Sequence, residues 1–150
     1  MSVTLKVAAV IVNSKNEILL LKEQYEKEKG LKWNIIKGTF DNPKETLEDC
    51  VKREVKEEVG LEVGEVFLKK IFQYGEEDKT RMLFVFYTKY LGKDVPRVEH
   101  VIVDELITEA RWFSYEEIEK FSADDFMAPY VLKSLSLQKQ EGFEGFDKIN

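Results

Sequence analysis

The sequence predicts an α/β fold, a mixed β-sheet held between helical layers, and three observations carry that expectation. Apolar, strand-like runs fill much of the chain; one helix with an apolar stripe interrupts them; and further helical segments close the C-terminal end. In order, residues 3–12 read as a strand that becomes continuously apolar. Asn13-Ser14-Lys15-Asn16 reads as a turn, and residues 17–22 as the returning strand of a hairpin. Residues 24–32 form a charged loop and residues 33–36 a short strand. Residues 63–74 and 81–90 make a strand pair, with the turn placed at 75–79. Residues 92–103 read as a long polar loop, 110–113 as a short strand, 115–121 as a helix and 126–138 as a longer amphipathic helix. Residues 1–140 are thus expected to form a single domain, with 141–150 a loose tail carrying two Gly-Phe pairs.

The interrupting helix is the most sharply drawn element. Thr46 can cap its start, with Asp49 three residues on as a rough capping box, and Gly60 suits the left-handed turn after its end. Leu47, Val51, Val55 and Val59 form an i, i+4 stripe that would pack on a sheet. At about 100° per residue, Glu58 falls between Leu47 and Val51, and Glu54 lies about 20° from Leu47. Two carboxylates are therefore expected on the buried side, whereas Lys52 and Lys56 point outward. Glu54, Glu57 and Glu58 also have i, i+3, i+4 spacing in the last turn, where the helix dipole is negative and like charges repel. Burying an unpaired charge costs several kcal/mol, so such groups are normally paired, metal-bound or protonated. The arrangement asks for a bound cation. Carboxylates without a histidine or cysteine cluster suit a hard, oxygen-ligated ion such as Mg²⁺ or Mn²⁺ rather than zinc.

Composition narrows the function. At 150 residues the chain can bury a sizeable core, and 35% charged with 43% hydrophobic residues is ordinary for a globular protein. A net charge of −6 argues against a surface that coats double-stranded nucleic acid, although a metal site could still receive a nucleotide's phosphates. The one cysteine cannot form an internal disulfide, and the apolar run 7–12 is too short to span a membrane. A reducing, cytoplasmic setting without a membrane partner is the expectation, and a homodimer is left open.

From Glu45 onward, Glu45, Arg53, Glu54, Val55, Glu57, Glu58, Gly60 and Leu61 stand at the spacing Glu, seven residues, Arg-Glu-aliphatic-x-Glu-Glu-x-Gly-aliphatic. The segment resembles the signature of the Nudix hydrolase family. Before it the chain departs from the pattern: six residues rather than five separate Gly38 from Glu45, and the usual glycine pair reads Gly38-Thr39. The resemblance implies a Nudix-like α/β/α sandwich and a metal-dependent pyrophosphohydrolase. Its substrate would be a small diphosphate, a nucleoside diphosphate linked to another moiety. It further implies Glu54 and Glu58 as metal ligands, Glu57 as a ligand or holder of the catalytic water, and the Gly38 carbonyl as a further ligand. Glu45 and Arg53 resemble the family's bridging pair. The general base is expected either among the box glutamates, Glu57 foremost, or on a distant loop, where Glu105 leads Asp104 and Glu99. Lys37 and Lys22, at strand ends beside the box, are candidates for phosphate contact. Two other readings share the fold: an isoprenoid diphosphate isomerase, which usually recruits a cysteine away from the box, and a regulatory nucleotide-binding module with reduced catalysis. His100, Cys50, Trp33 and Trp112 are expected to be structural.

Overall fold

A computed structural model describes residues 1–24, 30–98, 101–102 and 105–136, the side chains of 76, 101, 102, 105 and 106 excepted. The sheet is built from β1 (Ser2–Asn13), β2 (Ile18–Gln24), β3 (Lys32–Asn34), β4 (Ile36–Phe40), β5 (Phe67–Glu76), β6 (Lys79–Tyr90), β7 (Val101–Ile102) and β8 (Glu105–Phe113). The helices are α1 (Leu47–Val59), α2 (Tyr115–Glu119) and α3 (129–136), with a 3-10 turn at Ala123–Asp125 before α3. Strand order runs β5-β6-β1-β2-β8-β7, with β3 on β2 and β4 on β1. The β1–β6 pair is parallel and the others are antiparallel, so the sheet is mixed.

Strand parity divides the core in two. Val7, Ala9, Ile11, Leu19 and Leu21 face α1, where they meet Cys50, Val51, Val55 and Val59. Ala8, Val10, Val12, Ile18 and Leu20 face the other way, toward Ile118 of α2 and Val131 and Leu135 of α3. Both faces of β1 and β2 are covered, which is why their apolar runs are continuous rather than alternating. Helices thus lie on both sides, the α/β/α arrangement expected. Fully burying each α1 valine contributes about 1.5–3 kcal/mol, which holds the helix to β4 and β1.

Several expectations about elements change. The 33–36 strand is really two: Asn34 Oδ1 accepts the Ile35 N–H at 2.8 Å, taking that donor from the ladder. The chain there leaves β2 and joins β1. The turn expected at 75–79 is tighter, with Glu77 at φ 48° and β5 continuing through Glu76. Gly75 lies within the strand, where a Cβ would come within 2.0 Å of the Lys79 carbonyl oxygen. Its role is close backbone approach rather than turning. β8 begins at Glu105, not Ala110, because Glu105 pairs with Ile102 and Leu106 with Gln24, and charged side chains along it mask the strand pattern. Phe126 precedes α3 and bridges to Trp33. Residues 141–150 lie outside the described residues. No helix among the described residues is long and apolar enough to cross a membrane.

Candidate metal centre

The site forms where the β4–α1 loop meets the C-terminal half of α1. Thr46 caps the helix, its side chain accepting the Asp49 N–H at 3.1 Å. At the other end Gly60 turns left-handed at φ 73° and donates its N–H to the Lys56 carbonyl at 2.9 Å. Arg97 N–H donates to the Val59 carbonyl at 2.9 Å, satisfying another terminal acceptor. The loop is set by Asn42, whose side chain accepts the Lys44 N–H at 3.0 Å and whose carbonyl accepts the Glu45 N–H at 3.2 Å. That turn brings Glu45 back beneath α1.

Arg53 then joins three acids. Its Nη2 donates to Glu45 Oε1 at 2.8 Å and its Nε to Glu45 Oε2 at 3.2 Å, a two-pronged pair. Its Nη1 donates to Glu54 Oε1 at 3.2 Å and to Glu57 Oε2 at 3.1 Å. The side chains of Glu45 and Glu54 are 14% and 15% exposed and that of Glu57 is 54% exposed. Glu58 is buried at 8%. Glu54 and Glu58 therefore lie on the packed side of the helix, as the helical wheel predicts, and Glu57 lies at its rim.

The environments differ in sign. Burial pushes the Glu54 carboxyl above its ordinary value, against the pull of Arg53 and with Glu57 adding to the rise. The hydrogen bond from Arg53 holds Glu45 below its ordinary value. Arg53 is held still more firmly protonated than usual, chiefly by its bond to Glu45. Burial raises the Cys50 thiol to about 12, so it is an inert core group.

Gly38 lies opposite Val7, on the α1 side of the sheet. A Cβ there would stand 2.2 Å from Glu54 Cδ and 2.5 Å from Glu54 Oε1. The Glu54 carboxyl thus packs directly over the Gly38 backbone, a cradle that any side chain would fill. The donor set of Gly38 carbonyl, Glu54, Glu57 and Glu58 is all oxygen and fits a hard divalent cation. Among the described residues no three carboxylates converge as a ready cluster; Arg53 supplies the neutralising charge to Glu54 and Glu57. The sequence reading gave Arg53 one acidic partner and missed these two. The Arg53–Glu57 spacing of i, i+4 was the available signal.

Other expected residues fall elsewhere. Lys37 pairs with Ala8 and lies beside Tyr130, and Lys22 Nζ sits 5.5 Å from the Trp33 ring centre. Both face the side of the sheet opposite α1, so the structure does not gather them with the acids. Glu105 begins β8, and its side chain is not described. Glu99, His100 and Asp104 lie outside the described residues. Trp33 and Phe126 are buried in the core, while Trp112 packs partly on the α1-side cluster. Sequence reading also missed a buried polar chain on the far face. Tyr130 donates to Asn34 at 3.1 Å and Asn34 Nδ2 donates to Glu23 Oε1 at 2.8 Å. A depression of about 570 Å³ lies along the rim of α1, lined by Lys52, Arg53, Lys56, Glu57, Glu62 and Val63.

Comparison with known proteins identifies the family and the fold. A family model described as NUDIX domain matches residues 3–133. NAD-capped RNA hydrolase NudC of Pseudomonas syringae pv. tomato is 32% identical over 99 residues, 63% of this chain and 32% of that protein. The NudC of Pseudomonas putida (strain GB-1) is 31% identical over 97 residues, 62% of this chain and 31% of that protein. The chain thus spans about a third of the length of these curated relatives. Among solved structures, a NUDIX hydrolase from Nitrosomonas europaea superposes with a TM-score of 0.73 at 26% identity, covering 90% of this chain and 87% of that one. The NUDIX domain of Shewanella oneidensis NrtR, solved with ADP ribose, shares the fold at a TM-score of 0.74 and 14% identity, covering 94% and 89%.

Proposed function

This chain belongs to the NUDIX family, and from that premise we propose that it is a metal-dependent pyrophosphohydrolase acting on a nucleoside diphosphate linked to another moiety. The carrying observation is the placement of Glu54 and Glu58 on the packed side of α1, with the Glu54 carboxyl over Gly38. The NudC relatives act on NAD-capped RNA, and NAD contains such a linkage. Glu54, Glu58 and the Gly38 carbonyl would hold Mg²⁺ (Mn²⁺ alternatively), which would supply neutralisation of the diphosphate charge and acidification of a water.

The protein's residues do the rest. Glu54 and Glu58 would hold the ion, and Arg53 keeps Glu54 aligned while tying α1 to the loop through Glu45. Glu57, at the exposed rim, orients the attacking water. Water adds to one phosphorus, the bridging P–O bond breaks, and two phosphate-bearing products leave. A carboxylate takes the water's proton, either Glu57 or Glu105. Cys50, buried with its thiol raised, cannot serve the isomerase chemistry. The test is a screen, with and without Mg²⁺, of NAD, ADP-ribose, nucleoside triphosphates and dinucleoside polyphosphates, followed by phosphorus NMR in heavy-oxygen water. Metal-dependent release of phosphomonoesters with label in one product is expected. No cleavage of any member would overturn the proposal.

A further inference from the structure

β5 ends the sheet: among the described residues it pairs with β6 along one edge only. The edge is ten residues long, and a long strand at the end of a sheet is a template for pairing with another chain. Its α1-side face is also apolar. Register places Leu68 beside Phe86 and Ile71 beside Phe84, continuing the rows of the α1-side core outward. Because α1 lies over β4 and β1, those rows run on uncovered by it. Leu68 is 46% exposed, Ile71 43% and Val3, on the same face of β1, 51%.

Charge identifies the partner. A bulge between Leu68 and Lys70 and two lysines look like the usual guards against indiscriminate pairing. A strand guarded only by repulsion would carry one sign, however. β5 and its turn instead carry Lys69 and Lys70 at one end and Glu76, Glu77 and Asp78 at the other. Antiparallel pairing of β5 with itself brings the basic end of each copy against the acidic end of the other. A register centred on Gln73 sets Lys70 opposite Glu76 and Phe72 opposite Tyr74, twice each, and opposite-charge and aromatic cross-strand pairs stabilise sheets. Such a contact is isologous, as a two-fold dimer requires.

We propose that β5 is a self-association edge through which two copies of this chain pair antiparallel into one continuous sheet, with the exposed Ile71 of each copy set opposite Gly75 of the other. The two α1 helices then lie on the same face of that sheet.

The experiment uses the full chain in analytical ultracentrifugation at micromolar concentration, with hydrogen exchange of the β5 amides. The parent should be a dimer with its outward β5 amides protected. The pair Lys69→Glu and Lys70→Glu should weaken association at least about 10-fold, since it sets like charges against each other across the seam, and Glu76→Lys with Glu77→Lys should do the same. Mixing the two reversed variants should restore a heterodimer, which a general loss of folding could not produce. A monomeric parent overturns the proposal, as does a dimer indifferent to both reversals. Protected β5 amides in a monomer would also overturn it, because another part of the chain would then cover the edge.

Discussion

Replacing Gly38 with alanine isolates the cradle from every other feature of the site. Gly38 has no positive φ, so alanine adopts its backbone without strain and only the new methyl matters. That Cβ would lie 2.2 Å from Glu54 Cδ, 2.4 Å from Cγ and 2.5 Å from Oε1. Carbon atoms settle at about 3.5–4.0 Å, so the carboxyl must retreat by more than about 1 Å. A misplacement of about 1 Å can cost about 100-fold in rate, the loss expected in Mg²⁺-dependent turnover. Overpacking costs about 1–3 kcal/mol, and the low end applies because the displaced group is the end of a flexible side chain. A melting curve and a substrate-release assay on Gly38→Ala separate the two effects. Gly64→Ala is the control: nothing lies within 4 Å of its added Cβ, so rate and fold should hold. Parental turnover in Gly38→Ala would refute the idea that the Glu54 carboxyl must sit over this backbone to work.

Three further outcomes are expected. Because Arg53 bonds Glu45 with two nitrogens and also holds Glu54 and Glu57, Glu45→Gln and Arg53→Met should be non-additive in a thermal-unfolding cycle, and additive losses would mean the pair is not coupled. In metal-free protein, the raised Glu54 value means the native state binds its proton more tightly than the unfolded state. Stability should therefore fall as pH rises from the ordinary glutamate value through the raised one, and Glu54→Gln should flatten that slope; Glu45, held low, contributes stability above its ordinary value that is lost only at lower pH. If Glu105 takes the proton of the attacking water, Glu105→Gln should cut the rate about 100-fold or more without changing metal affinity, and a parental rate would hand the role to Glu57.

Periodicity made much of this protein legible. The wheel position of Glu54 and Glu58, the outward Lys52 and Lys56, the Thr46 cap and the Gly60 turn are all local consequences of helix geometry. The two covered faces of β1 and β2 followed from continuous apolar runs. What failed to show was non-local. Gly75 reads as a turn glycine, yet the approach of Lys79 across the hairpin is what requires it. Lys37 directly precedes Gly38, but alternation along β4 sends it to the opposite face. That could have been read from period two alone, and for Lys22 next to Leu21 likewise. Helix spacing offers the Arg53–Glu57 pair, but Arg53's contact with Glu45 depends on where the 41–46 loop returns, which helix spacing does not contain. The Glu23–Asn34–Tyr130 chain joins β2, β3 and α3, segments far apart in sequence, so no motif announces it.

The central claim is that the acids of α1 hold a divalent ion. Titration of the metal-free protein with Mn²⁺, followed by electron paramagnetic resonance, measures it without reference to any substrate. The parent should bind Mn²⁺ with loss of the free-ion signal, Mg²⁺ should compete, and Glu58→Gln or Glu54→Gln should weaken binding about 10–100-fold or more, the loss typical of disabling a group at a metal site. A parent that leaves the free Mn²⁺ signal unchanged, or variants that bind as the parent does, would contradict the account.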